Sequence, residues 1–150
     1  MRKIVLIILS GLILFSCEKE MDIQITTLDF NEFTIDIPIT WIYQQNQGYD
    51  SFVGDIKINE NEKISFDYGW YSNPLEVDSL THLIIYQTID GKRAKVVSPK
   101  DFKKGTTGVY FDSLEINKTL KFQMSGIDLS KNNQILLLKS IVSLKFKDLN

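Results

Sequence analysis

The sequence predicts an α+β fold: a mostly antiparallel β-sheet with a C-terminal helix packed on one face. Three observations predict it. Apolar and polar residues alternate with period two through most of the chain from Phe33 to Phe146. Asp90-Gly91 separates two such runs, and Asp-Gly favours the positive φ angles of a tight antiparallel hairpin. Near the C-terminus the period changes from two to that of a helix. The chain has 150 residues, 43% of them hydrophobic and 24% charged, with a formal net charge of −2. That suits one globular domain and excludes a wholly disordered chain.

The elements follow in order. Phe33, Ile35 and Ile37 alternate with Thr34 and Asp36, and Pro38 stops this first strand. A second runs from about Phe52 through Ile56 and Ile58. Ile64, Phe66, Tyr68 and Trp70 share one face of a third, with Ser65, Asp67 and Tyr71 opposite. Asn73-Pro74 followed by Glu76 has a cap, a first-turn proline and an N3 acid in order, which predicts a short helix from Pro74 to about His82. Ile84–Ile89 and Lys92–Val97 form the Asp-Gly hairpin. Val109 with Phe111, and Leu120 with Phe122 and Met124, mark two more strands. Ser130 is the expected cap of a helix reaching Ser140, with Ile135, Leu138 and Ile141 facing the core. Val142, Leu144 and Phe146 predict a closing strand.

The first twenty residues read as an address. Arg2 and Lys3 precede an apolar run from Ile4 to Phe15, too short for a permanent span, which needs about 18 residues or more. Leu14-Phe15-Ser16-Cys17 resembles a bacterial lipobox. The resemblance implies cleavage before Cys17, diacylation of its sulfur and acylation of the new amine. The expected organisation is a signal peptide over 1–16, a lipidated tether over 17–30 and one α+β domain over 31–150. Glu18, Glu20 and Asp22 are a solvated tether or, by resemblance, a surface-export signal. The resemblance implies a lipid-anchored protein of the cell envelope, at the outer membrane of a Gram-negative bacterium.

The opening Phe33-Thr-Ile-Asp-Ile-Pro-Ile-Thr-Trp41 and the exit helix running into Ser140-Ile-Val-Ser-Leu-Lys-Phe146 look like the PsbP-like α/β/α sandwich superfamily. There an opening strand ends in a proline and a tryptophan, and a late helix feeds a closing strand. Members are mostly non-catalytic accessory proteins of membrane assemblies, and that is the role the resemblance implies.

Composition narrows the chemistry. One cysteine excludes a disulfide framework within the chain, and with one histidine it excludes the usual zinc sites. No cofactor is expected. Charge is uneven: Cys17–Asp78 carries 13 acidic and 3 basic residues, Ser79–Asn150 carries 6 and 12. Opposite halves attract within one sheet or form a polar partner surface. An acidic mature chain with an envelope address is not expected to bind nucleic acid.

Two clusters are candidate binding residues. Tyr68, Trp70 and Tyr71 surround Gly69, where a backbone or a ligand can approach closely. Strand parity puts Tyr68 and Trp70 with the core, whereas exposed aromatics would take a glycan or a protein by stacking. Lys92, Arg93, Lys95, Lys100, Lys103 and Lys104 are six cations within 13 positions, either a solvated hairpin or a surface for an anionic glycan, lipid headgroup or acidic partner. His82 is a cap, a surface residue or a general base. Asp50, Asp55 and Asp67 are turn and strand residues, or carboxylates for acid–base work. The favoured expectation is a membrane-anchored accessory or binding lipoprotein that docks a protein or glycan. A small envelope hydrolase using Asp and His is the alternative, as is an inhibitor or immunity lipoprotein using the Ser98–Gly108 loop.

Overall fold

The computed structural model describes residues 23–114 and 119–147. The expected signal peptide and Cys17 lie outside them. Ten strands and one helix follow: β1 Ile25–Asp29, β2 Phe33–Pro38, β3 Ile42–Gln45, β4 Phe52–Lys57, β5 Lys63–Gly69, β6 His82–Ile89, β7 Lys92–Pro99, β8 Thr106–Phe111, β9 Lys121–Ile127, α1 Lys131–Val142 and β10 Lys145–Phe146. Seven strands form one sheet in the order β3-β4-β5-β9-β8-β7-β6, and β1-β2-β10 form a second. Neighbours pair antiparallel throughout. The chain is mostly antiparallel sheet with one C-terminal helix, an α+β fold.

Alternation decides which face of the large sheet is packed. Ile56, Ile64, Phe66, Tyr68, Phe122, Met124, Val109, Phe111 and Val96 point to one side and join a single core with Phe33, Ile35, Ile37, Leu137 and Ile141. The small sheet and α1 together cover this face, with α1 packed against β2 and β8. The other face is more open and mostly polar, but residues 72–79 lie across it and Leu75 packs there with Val97 and Tyr110 in a second, smaller cluster. At the β6–β7 turn, Asp90 and Gly91 have φ of 49° and 70°, as the Asp-Gly pair requires.

Several expectations are corrected. No helix forms over 74–82. Asn73 Oδ1 accepts the Leu75 N–H at 2.8 Å and Asp78 Oδ1 accepts the Leu80 N–H at 2.8 Å, so the helix-start residues close local turns instead. Leu75 has φ of 50°, which no helix tolerates. Lys95 Nζ donates to the carbonyls of Pro74 and Leu75, and Lys100 Nζ to those of Ser79 and Leu80. Lys95 thus satisfies two carbonyls that a helix would have bonded internally, and Lys100 two that would have lain unpaired in its last turn. His82 opens β6 instead of ending a helix.

The buried stripe of α1 is Gln134, Leu137, Ser140 and Ile141, whereas Ile135 is exposed. Small Ser140 occupies the sheet-facing side, where a larger residue would hold the helix off. The closing strand is only Lys145–Phe146, and Val142 still belongs to the helix. β1 lies within the stretch expected to be tether, and β3 has no counterpart among the expected strands.

The helix is also capped differently. Ser130 makes no side-chain cap bond. Glu62, in the β4–β5 turn, accepts the Ser130 N–H and the amide of Asn133, and receives Asn59 Nδ2 at 2.8 Å. A carboxylate therefore sits at the positive end of α1. Burial pushes the Glu62 carboxyl up, but these hydrogen bonds outweigh it and hold the group below its ordinary value of 4.5. A depressed carboxyl stabilises the fold fully above that value and loses the contribution as pH falls through the folded-state value. Glu62→Gln is expected to lower stability at pH 7 by about 1 kcal/mol and to flatten the acid limb below pH 4.5. Denaturant unfolding across that range checks it. Parallel pH profiles for the two proteins would contradict it.

Candidate functional site

The open face of the large sheet collects the functional side chains. Register places Asp67, Gln123, Tyr110, Lys95 and Tyr86 in one row across β5, β9, β8, β7 and β6. The strap formed by residues 72–79 crosses this face and parts it into two hollows. One, of about 510 Å³, is lined by Ser65, Gln123, Ser125 and strap residues Asn73, Leu75 and Val77. The other, of about 460 Å³, is lined by Pro74, Tyr86, Arg93, Lys95, Tyr110, Asp112 and Ser113.

The second hollow carries the more distinctive chemistry. The Arg93 guanidinium lies 4.8 Å from the Tyr86 ring centroid, a cation–π contact that holds both side chains over the sheet. Tyr110 donates its hydroxyl to Asp112 Oδ1 at 3.0 Å. Burial pushes the Tyr110 phenol up, and the neighbouring Asp112 carboxylate adds to it, to about 12. An aromatic ring, a guanidinium and a phenol–carboxylate pair thus share one concave surface. Such a set can stack on a sugar ring while bonding its hydroxyls.

Trp70 and Tyr71 follow the end of β5. β5 ends at Gly69, and Ser72 Oγ donates to the carbonyls of Asp67 and Gly69 at 2.9 and 3.2 Å. Buried Ser72 closes a turn that projects the two intervening rings outward. Trp70 is 64% exposed and Tyr71 81%. The strand parity that placed Trp70 in the core fails because the strand stops one residue earlier. β9 lies between β5 and β8, the nearest strand lining the hollow, so the aromatic pair stands about 10 Å or more from it across the sheet. Tyr68 does not belong to this surface: it is only 7% exposed and packs with Phe33 and Phe122. The close approach at Gly69 is to Ser51 of the chain itself, since a Cβ there would lie 2.4 Å from Ser51 Cβ.

The six cations do not form one patch. Lys92 lies 5.8 Å over the Phe146 ring and Arg93 over Tyr86. Lys95 and Lys100 hold the strap. Lys103 occupies a positive-φ position in the β7–β8 turn, and Lys104 faces Asp101 at 3.9 Å. Only Arg93 and Lys95 line the hollow.

Of the acid–base candidates, His82 and Asp55 are engaged, and Asp55 and Asp67 share one face of neighbouring strands while His82 stands apart. His82 Nε2 accepts the Thr106 N–H at 3.1 Å and Nδ1 meets Thr81 Oγ1 at 2.9 Å, an arrangement satisfied by the neutral ring protonated on Nδ1. Asp55 receives Lys63 Nζ at 2.7 Å and Ser65 Oγ at 2.6 Å. Burial raises its carboxyl, but hydrogen bonds from Lys63, Ser65 and Asn46 hold it below its ordinary value. Asp50 is exposed in the loop before β4. Asp67 Oδ1 is buried without a hydrogen-bond partner. Three strands separate β5 from β6, which puts Asp67 and His82 at least about 19 Å apart across the sheet. Among the described residues, no group of three His, Cys, Asp or Glu side chains could hold a metal ion. The Ser98–Gly108 loop is tied down: Lys100 N–H bonds Thr81 O, Lys103 N–H bonds Leu129 O, and Gly105 N–H bonds Asp128 Oδ1.

Tyr86, Tyr110 and Asp112 are site residues that sequence reasoning missed. Tyr86 alternates with Ile85 and Gln87 and so belongs to the open face, but only the strand order brings it to Tyr110.

No protein-family model matches the chain, and comparison with curated proteins and with solved structures gave no match.

The Tyr110–Asp112 bond has a direct readout. Absorbance titration of the phenols is expected to show one tyrosine ionising near pH 12. Asp112→Asn is expected to move it down towards the others. A titration in which no tyrosine lags would contradict the arrangement.

Proposed function

We propose that this chain is a lipid-anchored accessory or binding protein of the bacterial cell envelope, docking a protein or glycan partner. The address rests on Arg2-Lys3, the apolar run to Phe15 and Ser16-Cys17, which resemble a lipoprotein signal. The outer membrane of a Gram-negative bacterium is its proposed location. Among the described residues, no helix is long and apolar enough to cross a membrane. The single observation that carries the binding role is the exposed Trp70–Tyr71 turn at the end of β5. A turn whose backbone is fixed by a buried serine presents two large exposed rings, a residue type enriched at binding contacts. The PsbP-like reading of the fold is supported by β2 ending at Pro38, by buried Trp41 and by α1 leading into β10. An accessory role accords with that likeness.

Two variants test the reading in native membranes. Intact mass is expected to show a chain beginning at acylated Cys17. Cross-linking of the wild type is expected to yield a partner adduct that is lost both in Cys17→Ala and in the Trp70→Ala/Tyr71→Ala double variant. If the wild type yields neither an adduct nor binding to envelope glycans, the proposal fails.

A further inference from the structure

The domain has two ends along its strands, and they differ in chemistry. One carries the β4–β5 turn, the β7–β8 turn, the start of α1 and Ile23, from which the chain leads back to Cys17. The other carries Trp70 and Tyr71, about 20 Å away along β5. Cys17 and Ile23 are six positions apart, so a fully extended chain separates them by at most about 22 Å.

The Ile23 end is apolar where it meets solvent. Ile25 is 55% exposed and Ile39 57%. They are neighbours: Ile25 pairs with Pro38, and the Ile39 N–H donates to Gln24 O at 2.9 Å. Both flank a shallow hollow of about 690 Å³ lined in part by Ile23, Pro38, Trp41, Ile58 and Leu136. Phe102 is exposed in the β7–β8 turn at this end, with Lys131 Nζ 5.6 Å from its ring. Of the charges here, Lys57 meets Glu60 at 3.1 Å and Lys104 faces Asp101 at 3.9 Å, while Lys103 and Lys131 meet no carboxylate among the described residues.

We propose that this end lies on the bilayer, with Ile25, Ile39 and Phe102 entering the headgroup layer and the Trp70–Tyr71 end turned away from it. The inference rests on the lipid anchor proposed above. A tether of this length cannot carry the domain far from the acyl chains, and its exit point is bordered by exposed isoleucines. Apolar side chains that would otherwise stay in water gain from burial at the interface. Against a zwitterionic headgroup layer without net charge, the contact is apolar in origin and insensitive to salt.

The test uses the full lipidated protein, purified and reconstituted into phosphatidylcholine vesicles containing a diazirine-bearing phosphatidylcholine. Flotation is read first, then the photolabelled peptides. Labelling is expected on segments 23–41 and 101–104, equal at low and high salt. It is expected to fall several-fold in Ile25→Asp/Ile39→Asp while flotation persists. Should that variant misfold, the wild-type label map decides alone. Label confined to the Trp70–Tyr71 segment overturns the inference and leaves the anchor standing. So does flotation without label in the domain, as when residues 18–22 or a second copy fill the hollow. Failure to float overturns the anchor, and the inference falls with it.

Discussion

Phe33 is the contact through which the two sheets hold each other. Its ring lies 4.9 Å from Phe122, 5.4 Å from Phe66 and 4.8 Å from Phe30. Tyr68 and Phe146 complete the surround. The large sheet buries one face and leaves the other open, and only the small sheet and α1 are available to cover the buried side. Without Phe33 and its neighbours Ile35 and Ile37, the aromatic row of β5 and β9 would face water. Burying a phenylalanine side chain is worth about 2–3 kcal/mol, and this one also joins both ends of the chain, since β10 pairs with β2.

That constraint sets where the functional surfaces lie. Because β2 and α1 take the packed face, the strap and the polar row of Asp67, Gln123, Tyr110, Lys95 and Tyr86 fall to the open face. Because β1 enters beside β2, the route to the proposed anchor leaves from one end of the strands. Because β5 stops at Gly69, Trp70 and Tyr71 are presented at the other. The proposed anchor and the exposed rings of Trp70 and Tyr71 therefore lie at opposite ends of the strands.

β2, β4, β5, β8 and β9 could be read from alternating core residues, and the mostly exposed β6 with β7 from the Asp90-Gly91 turn between them. β1 and β3 escaped because Ile25–Asp29 and Ile42–Gln45 are short edge segments that place few residues in the core. The Pro74–His82 segment carries authentic helix-start signals, but Lys95 and Lys100 reach it from distant positions in the chain. Local propensity loses there to tertiary hydrogen bonds that no window of sequence contains. The site was legible only in part. Exposed Tyr71 and Arg93 stood out by type and parity. Trp70 was placed on the wrong side because its alternation was carried one residue too far. Tyr86, Tyr110 and Asp112 meet only through a strand order that sequence does not reveal.

The central claim is that the small sheet, the large sheet and the helix are one cooperative unit joined at Phe33. The direct measurement is denaturant unfolding of Phe33→Ala, followed separately at Trp41, in the segment after β2, and at Trp70, beyond β5. A single coincident transition is expected, destabilised by about 3–5 kcal/mol. Loss of the Trp41 signal at a lower denaturant concentration than that of Trp70 would show that the small sheet detaches on its own, and would contradict the account.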